Sequence, residues 1–414
     1  MKNLILILLV ALSSCTVLYR GARYLDADIT DHKIFPYTEV NTGDSVYTFA
    51  EGNGQIFDTL RVTYQHDTLK TLDEMLAASS THAFVVIRND SVLFERYYKG
   101  YQREDISTVF SVSKSVTSLL MGIAIDEGYI ESEHDPITKY IPELNNGDPM
   151  FRKLTLEHLL DMRSGVNYNE NSSNPFSHIA GLYYGTNQLA KLKRMKFKHE
   201  PGTVHNYQSS STALLGLAIE KATGKELGQY LEEKVWKPMG MENRATWSVD
   251  DKRHRSAKAF CGLNVTAIDL AKIGRLYINK GNWNGQQIVS EEWVNKAAIP
   301  KIENEGYRYQ WWSLDANAPD KEGNYYFADS ISAVNNISEV YQSKYKYFKV
   351  WKDHMAPDPS KPWRIVVYTD CYFALGIMKQ VVYIDPNKNL IMVRLGATGD
   401  KEYFNLMYKL GKSL

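Results

Sequence analysis

The sequence predicts an α+β fold, in which one antiparallel sheet draws its strands from both ends of the chain and a large helical region is inserted between them. Three observations carry this. Strand patterns cluster early, in "AFVVIRNDSVLFERYY" (83–98); helical patterns fill the middle; strand patterns return in "QVVYID" and "NLIMVRLG" (380–396). With 414 residues, the chain can bury a substantial core in one large or two ordinary domains.

The elements follow in order. Lys2 precedes a purely apolar run, Leu4 to Leu12, which is too short for a bilayer span of about 20 residues. It has the character of a secretory h-region, and "LSSC" after it resembles a bacterial lipoprotein signal, with cleavage before Cys15 and acylation of that Cys. Residues 1–14 are therefore expected to be a signal peptide, 15–70 a tether and loosely structured arm, and 71–414 the folded domain. "TLDEMLAAS" (71–79) reads as a helix. The run 83–98 reads as a hairpin turning at Asn89-Asp90. Ser111 to Glu127 is apolar on one side (Val116, Leu119, Leu120, Ile123, Ala124) and stops at Gly128. Helical spacing recurs at 154–162, 211–224, 226–236 and 266–278. A second hairpin turns at Pro386-Asn387-Lys388, and 401–410 reads as a terminal helix. The stretch 315–370 is aromatic and charged without a clear period, and is treated as an insertion.

Composition narrows function. Lys+Arg and Asp+Glu balance at 48 each, leaving no global field to attract nucleic acid or an anionic membrane, so no nucleic-acid partner is expected. The ten histidines include no pair at i, i+4, and no CxxC occurs, so no metal or other cofactor is expected. Cys261 and Cys371 sit in apolar settings and read as buried free thiols.

Chemistry concentrates in "FSVSKSVTSLL" (110–120), which sets Ser111 and Lys114 one turn apart at the mouth of a buried helix. S-x-x-K alone is weak: it recurs at Ser343–Lys346, and a serine at a helix start is most often only a cap. A second stretch, "PGTVHNYQSSSTALLGLAIEKATG" (201–224), sets Tyr207-Gln208-Ser209 between a Pro-Gly turn and another buried helix. Tyr-x-Ser also recurs, at Tyr341-Gln342-Ser343, so the long flanks carry the signal.

Together with "LTLEHLLDMRSGV", "KPMGM" and "GLNVTAIDLAKIGRLY", the two stretches resemble the serine β-lactamase and penicillin-binding-protein superfamily, in its class C and esterase branch. Tyr-x-Ser in place of Tyr-x-Asn resembles the sub-branch of 6-aminohexanoate-dimer hydrolase-like serine hydrolases. The resemblance implies a β-lactamase/transpeptidase-like fold, with Ser111 as nucleophile and Lys114 and Tyr207 as its base. A serine hydroxyl needs such a base, and a lysine serves only when neutral, which an ordinary lysine is in about one molecule in a few thousand at pH 7. Burial at a helix start disfavours the cation. Ser209 would orient Lys114 or the substrate. The oxyanion hole would pair the N–H of Ser111 with one from an edge-strand motif, K-T-G or H-x-G in the superfamily. Here Gly376-Ile377-Met378-Lys379-Gln380 takes that place, with Ile377 for the cation, Lys379 for the glycine, and Gln380 as second donor. Without the cation, hydrolysis of carboxylate-bearing β-lactams is not expected. Lys379 would either bind an acidic group or obstruct the site.

The function implied is a membrane-anchored serine hydrolase acting on a small-molecule ester or amide. Two alternatives are a D-amino-acid peptidase of cell-wall peptides and a non-catalytic binding protein on the same fold. Gly43-Asp44-Ser45 and Asp251-x-x-His254 imitate another esterase class without its neighbourhood, and no G-x-S-x-G elbow occurs.

Overall fold

The computed structural model describes residues 17–21, 23–24, 26–64, 68–319, 322–340, 347–398 and 402–414. The expected signal peptide 1–14, the acylation site Cys15 and the second copies of both short motifs at 341–346 lie outside them.

The N-terminal arm is built into the domain, which corrects the expectation of a loose tether. Strand β1 (Tyr37–Val40) pairs antiparallel with a strand some 200 residues on, and β2 (Ala50–Glu51) pairs parallel with an early strand of the main sheet. Strands β3 (Arg61–Tyr64) and β4 (Thr68–Thr71) form a hairpin. Ile29, Phe35, Val40 and Phe49 are buried in the main core, at spacings with no period for the sequence to display. Thr71 then caps helix α1 (Leu72–Ala78) in a capping box with Glu74.

The expected early hairpin forms from β5 (Thr81–Arg88) and β6 (Ser91–Tyr97), with Asn89 and Asp90 at φ 50° and 59° as a left-handed two-residue turn requires. Short strand β7 (Ser107–Thr108) leads into helix α2 (Val112–Asp126), buried on every side from Val112 to Ala124. The helical region continues through Leu156–Leu160, α3 (His178–Tyr184), α4 (Gln188–Lys193), α5 (Ser209–Thr223) and Leu227–Leu231. Strands β8 (Ala245–Ser248) and β9 (Leu263–Val265) join β1 and β7 in a second, four-stranded sheet of order β1-β8-β9-β7. Helix α5 ends at Gly224 in the left-handed conformation, as the sequence spacing anticipates.

After α6 (Ala267–Ile278) the chain makes a small hairpin, β10 (Asn282–Trp283) and β11 (Gln286–Gln287), and then completes the main sheet. Its remaining strands are β12 (Tyr307–Arg308), β13 (Trp311–Ala318), β14 (Tyr347–Lys352), β15 (Trp363–Gly376), β16 (Gln380–Asp385) and β17 (Leu390–Gly396). The order is β12-β13-β15-β16-β17-β5-β6-β2, with β14 also on β15. The join β17–β5 is antiparallel and closes the two ends of the chain on each other. Alternation sorts side chains to two faces. On β5, Val85 and Ile87 enter the core shared with the helical region, while Phe84 and Val86 enter the core beneath α1 and the terminal helix α8 (Glu402–Ser413).

The stretch 315–370 is not a separate insertion. It supplies the end of β13, helix α7 (Ser330–Val340), β14 and the start of β15, packed around Ala318, Phe327, Ile365 and Val367.

Candidate active site

Phe110 sets up the start of α2. It lies in the left-handed region at φ 48°, a conformation that costs a bulky L-residue about 1–2 kcal/mol, and its ring is buried. That turn delivers the chain from β7 into α2 with Ser111 at the N-cap, half-buried and facing a cleft, and with its N–H outside the helical ladder. The helix is pinned by its own hydroxyls. Ser113 Oγ accepts from Leu263 N at 3.0 Å, Thr117 Oγ1 donates to Ala259 O at 2.9 Å, and Ser115 Oγ donates to Gln310 O at 2.7 Å.

Lys114 is 1% exposed, and its Nζ lies 2.8 Å from Ser111 Oγ. Its second partner is the carbonyl of Phe260, at 3.0 Å. The same Nζ stands 5.0 Å from the centre of the Tyr207 ring. Among the described residues no carboxylate forms an ion pair with this amine; it is held by one hydroxyl, one carbonyl and ring faces. Tyr207 is fixed from behind by Tyr307 and Trp312, at ring separations of 5.6 and 5.7 Å. The structure thus brings Ser111, Lys114 and Tyr207 together.

Ser209 does not contact Lys114 as expected. Its hydroxyl donates to Glu170 Oε1 at 2.5 Å and its N–H to Oε2 at 3.0 Å, so one carboxylate takes both donors at the start of α5. A carboxylate there also faces the positive end of the helix. For Lys114 the orienting role expected of Ser209 falls to the Phe260 carbonyl, while Ser209 itself lines the cleft.

The segment 376–380 also departs from expectation. It is not on an edge strand: it forms the reversal between β15 and β16, with Met378 and Lys379 both at φ 60°. Gly376 packs so closely beside the nucleophile's approach that a Cβ there would meet Val109 O at 2.4 Å. Ile377 and Met378 line the cleft. Gln380 is fully buried and turned away: its amide donates to Gly396 O at 2.6 Å and accepts from Gly396 N at 3.0 Å. Lys379 is half-buried and is not among the cleft-lining residues, so it neither plugs the site nor offers it a cation. Of this segment, Ile377 and Met378 line the cleft together with Ser111, and Lys379 and Gln380 do not.

The cleft has a volume of about 380 Å³. Phe110, Phe260, Tyr183 and Tyr184 give it aromatic walls, and its charged lining residues are Asp26 and Glu170. Asp26 comes from the N-terminal arm, which therefore forms part of the site. Lys258, fully buried two residues before Phe260, donates to Tyr183 O at 2.5 Å and Leu182 O at 3.2 Å and so ties the wall helix α3 to the turn before β9 whose Phe260 carbonyl holds Lys114. Burial pulls its ammonium down to about 8. Asp31, bonded to the Tyr183 hydroxyl, is pushed up to about 6 by burial. Cys261 lines the cleft as a buried free thiol, raised to about 12 by desolvation, and Cys371 is free and buried elsewhere. The imitating motifs are structural. Asp251 accepts from His254 N and Arg253 N in a surface bend, and Gly43 packs on Lys237.

A lysine amine held against a serine hydroxyl under an open cleft serves acyl transfer, and on this fold it makes the chain a serine hydrolase of the β-lactamase and penicillin-binding-protein superfamily. Within that class, the chain belongs to the Beta-lactamase family, whose pattern matches residues 70–405. It is similar to 6-aminohexanoate-dimer hydrolase of Paenarthrobacter ureafaciens, at 28% identity over 272 residues, covering 59% of this chain and 67% of that protein. A 156-residue stretch is 26% identical to an Escherichia coli (strain K12) protein provisionally described as a D-alanyl-D-alanine carboxypeptidase, covering 36% of each. The chain thus spans between 36% and 67% of these relatives' lengths. A solved structure from Bacillus anthracis, provisionally described as a 6-aminohexanoate-dimer hydrolase, matches with a TM-score of 0.71 at 23% identity, over 93% of this chain and 92% of that one. That likeness concerns the fold.

Proposed function

We propose that the protein hydrolyses a small ester or amide through an acyl-enzyme on Ser111. The observation that carries this is the 2.8 Å approach of a buried Lys114 Nζ to Ser111 Oγ. Ser111 Oγ attacks the carbonyl carbon as its proton passes to Lys114 Nζ. The oxyanion is met by the N–H groups of Ser111 and Ile377, each worth about 3 kcal/mol in such a site. Tyr207 relays the proton to the leaving alcohol or amine, the carbonyl C–O or C–N bond breaks, and the acyl group stays on Ser111. Water then adds to the acyl carbon, gives its proton back through Tyr207 and Lys114, and frees the acid.

An uncharged acyl group suits this cleft, because its charged lining residues are the acids Asp26 and Glu170, and its walls are aromatic. A substrate whose carboxylate must sit beside the nucleophile, such as a β-lactam or a D-alanyl-D-alanine terminus, has no lining cation to receive it. The apolar run Leu4–Leu12 and Cys15 support a lipid anchor, which would hold the domain at a periplasmic or extracellular membrane face. Steady-state assays on p-nitrophenyl butyrate, a linear amide, nitrocefin and a D-alanyl-D-alanine peptide test the reading. It expects turnover of the ester, with at least a hundredfold lower kcat/KM on the last two. Preferred turnover of either carboxylate-bearing substrate would overturn it.

A further inference from the structure

The overall charge balance hides one local excess. The run Lys191-Leu192-Lys193-Arg194-Met195-Lys196-Phe197-Lys198 carries five cations in eight residues. Helix α4 ends at Lys193, and the chain then runs extended along 165–167, with Asn167 N on Lys196 O at 2.7 Å and Lys198 N on Gly165 O at 2.8 Å. This pairing turns Met195 and Phe197 inward and leaves Arg194, Lys196 and Lys198 exposed. Lys193, Arg194 and Lys196 border an open concavity of about 440 Å³ with Asn146 and Gly147. Arg152 approaches the same loop through Asn145 O.

Among the described residues, none of these five cations is in a recorded ion pair. The nearby acids already hold other partners, although Glu143 also faces Lys193. Glu143 pairs with Lys221 at 2.8 Å and Glu200 with Lys153 at 2.9 Å, while Asp251 serves His254 and main-chain donors. Five like charges on a fixed backbone repel one another, and burial, with Arg194 beside it, pulls the Lys191 ammonium down. An anionic partner relieves the mutual repulsion.

The patch is continuous with the arm that leads towards Cys15. Arg20 Nη1 donates to Tyr184 O at 3.0 Å, and a side chain on the next residue, Gly185, would stand 3.0 Å from Lys191 Nζ. Cys15 precedes Arg20 by five residues, a reach of at most about 18 Å. Tyr183 and Tyr184 on α3 also wall the cleft.

We propose that Arg20 and the run 191–198 form a docking surface for the phosphate headgroups of an anionic membrane, which brings the mouth of the cleft to the lipid surface. The docking stands without acylation of Cys15; only the added tether rests on that reading. Each cation at such a surface contributes about a fivefold gain in partitioning, and salt screens it.

The test uses the full, unacylated chain with vesicles of phosphatidylcholine alone or with about 30% phosphatidylglycerol. The apolar N-terminal run binds both alike, so the readout is the difference between them. The proposal expects at least a tenfold preference for the anionic vesicles at low salt, lost near 0.5 M NaCl. It also expects the preference to vanish in Lys193→Glu/Arg194→Glu/Lys196→Glu/Lys198→Glu, with fluorophosphonate labelling of Ser111 unchanged. If that variant does not fold, the corresponding four Gln substitutions serve in its place. Equal partitioning onto both vesicles overturns the proposal. Displacement by a few millimolar inorganic phosphate, or tighter binding to a DNA duplex, would mean a soluble-anion or nucleic-acid site and overturn it as well.

Discussion

Two segments meet at the cleft and are built on opposite principles. The start of α2 is a helix that obeys its own period: Ser111 and Lys114 share a face because three residues make nearly one turn. The reversal 376–380 obeys its surroundings. Gly376 is placed by the Val109 carbonyl, Gln380 by Gly396, and the chain turns through two non-glycine residues at φ 60°. On the proposed reading the first segment carries the nucleophile and base, and the second shapes the space in front of them. Function therefore depends on a locally coded element registered against one coded only by packing.

Breaking the first segment should have the largest effect. Ser111→Ala or Lys114→Ala is expected to cut kcat by at least a thousandfold, and both together no more than the worse one alone, as for groups that act as a unit. Steady-state rates on a p-nitrophenyl ester check this. Breaking the second at its tightest point comes next. Gly376→Val forces a side chain against Val109 O, and kcat/KM should fall about a hundredfold while the Ser111–Lys114 pair is retained. A change below tenfold would mean that the reversal does not supply an oxyanion donor.

A third test probes what holds the cleft wall α3 to the turn that carries Phe260. Below pH 8, Lys258 is protonated in both folded and unfolded chains, and the fold carries the full cost of its buried charge. Between pH 8 and its ordinary value of 10.5 the native amine has lost its proton and the unfolded one has not, so this cost fades as pH rises. The unfolding free energy of the parent minus that of Lys258→Met should therefore climb by about 3 kcal/mol from pH 7.5 to 10.5 in urea titrations. A flat difference would show the amine to be unperturbed.

The smallest effects separate the neighbours within the reversal. Gln380→Leu should lower stability by about 1–3 kcal/mol through its lost bonds to Gly396, with ester turnover kept within about threefold. Lys379→Ala should change neither by a measurable amount, because its side chain lies outside the cleft lining.

The same contrast explains what the sequence could disclose. Helix and hairpin patterns are local, so α2, α5, α6, the turn at Asn89-Asp90 and the pair Ser111–Lys114 are all legible. Tyr207 is legible through its flanks. The Phe260 carbonyl that holds Lys114 is main chain and leaves no mark in residue type. Glu170 meets Ser209 across 39 residues, and Tyr307 on β12 and Trp312 on β13 brace Tyr207 from about 100 residues later. Reading 376–380 as part of an edge strand assumes that the chain enters β16 extended throughout. Met378 and Lys379 reverse it instead, and neither side chain advertises a positive φ. The arm before residue 71 was hidden for a related reason: its anchors Ile29, Phe35, Val40 and Phe49 are set by the surface they cover, not by a helical or strand period.

The most direct test of the central claim, that Lys114 activates Ser111 beneath an open cleft, is intact-mass spectrometry after exposure to a fluorophosphonate. The parent chain should gain the mass of one adduct, and Ser111→Ala and Lys114→Ala should gain none. No adduct on the parent at any pH from about 6 to 10, or an adduct that persists in Ser111→Ala, would contradict it.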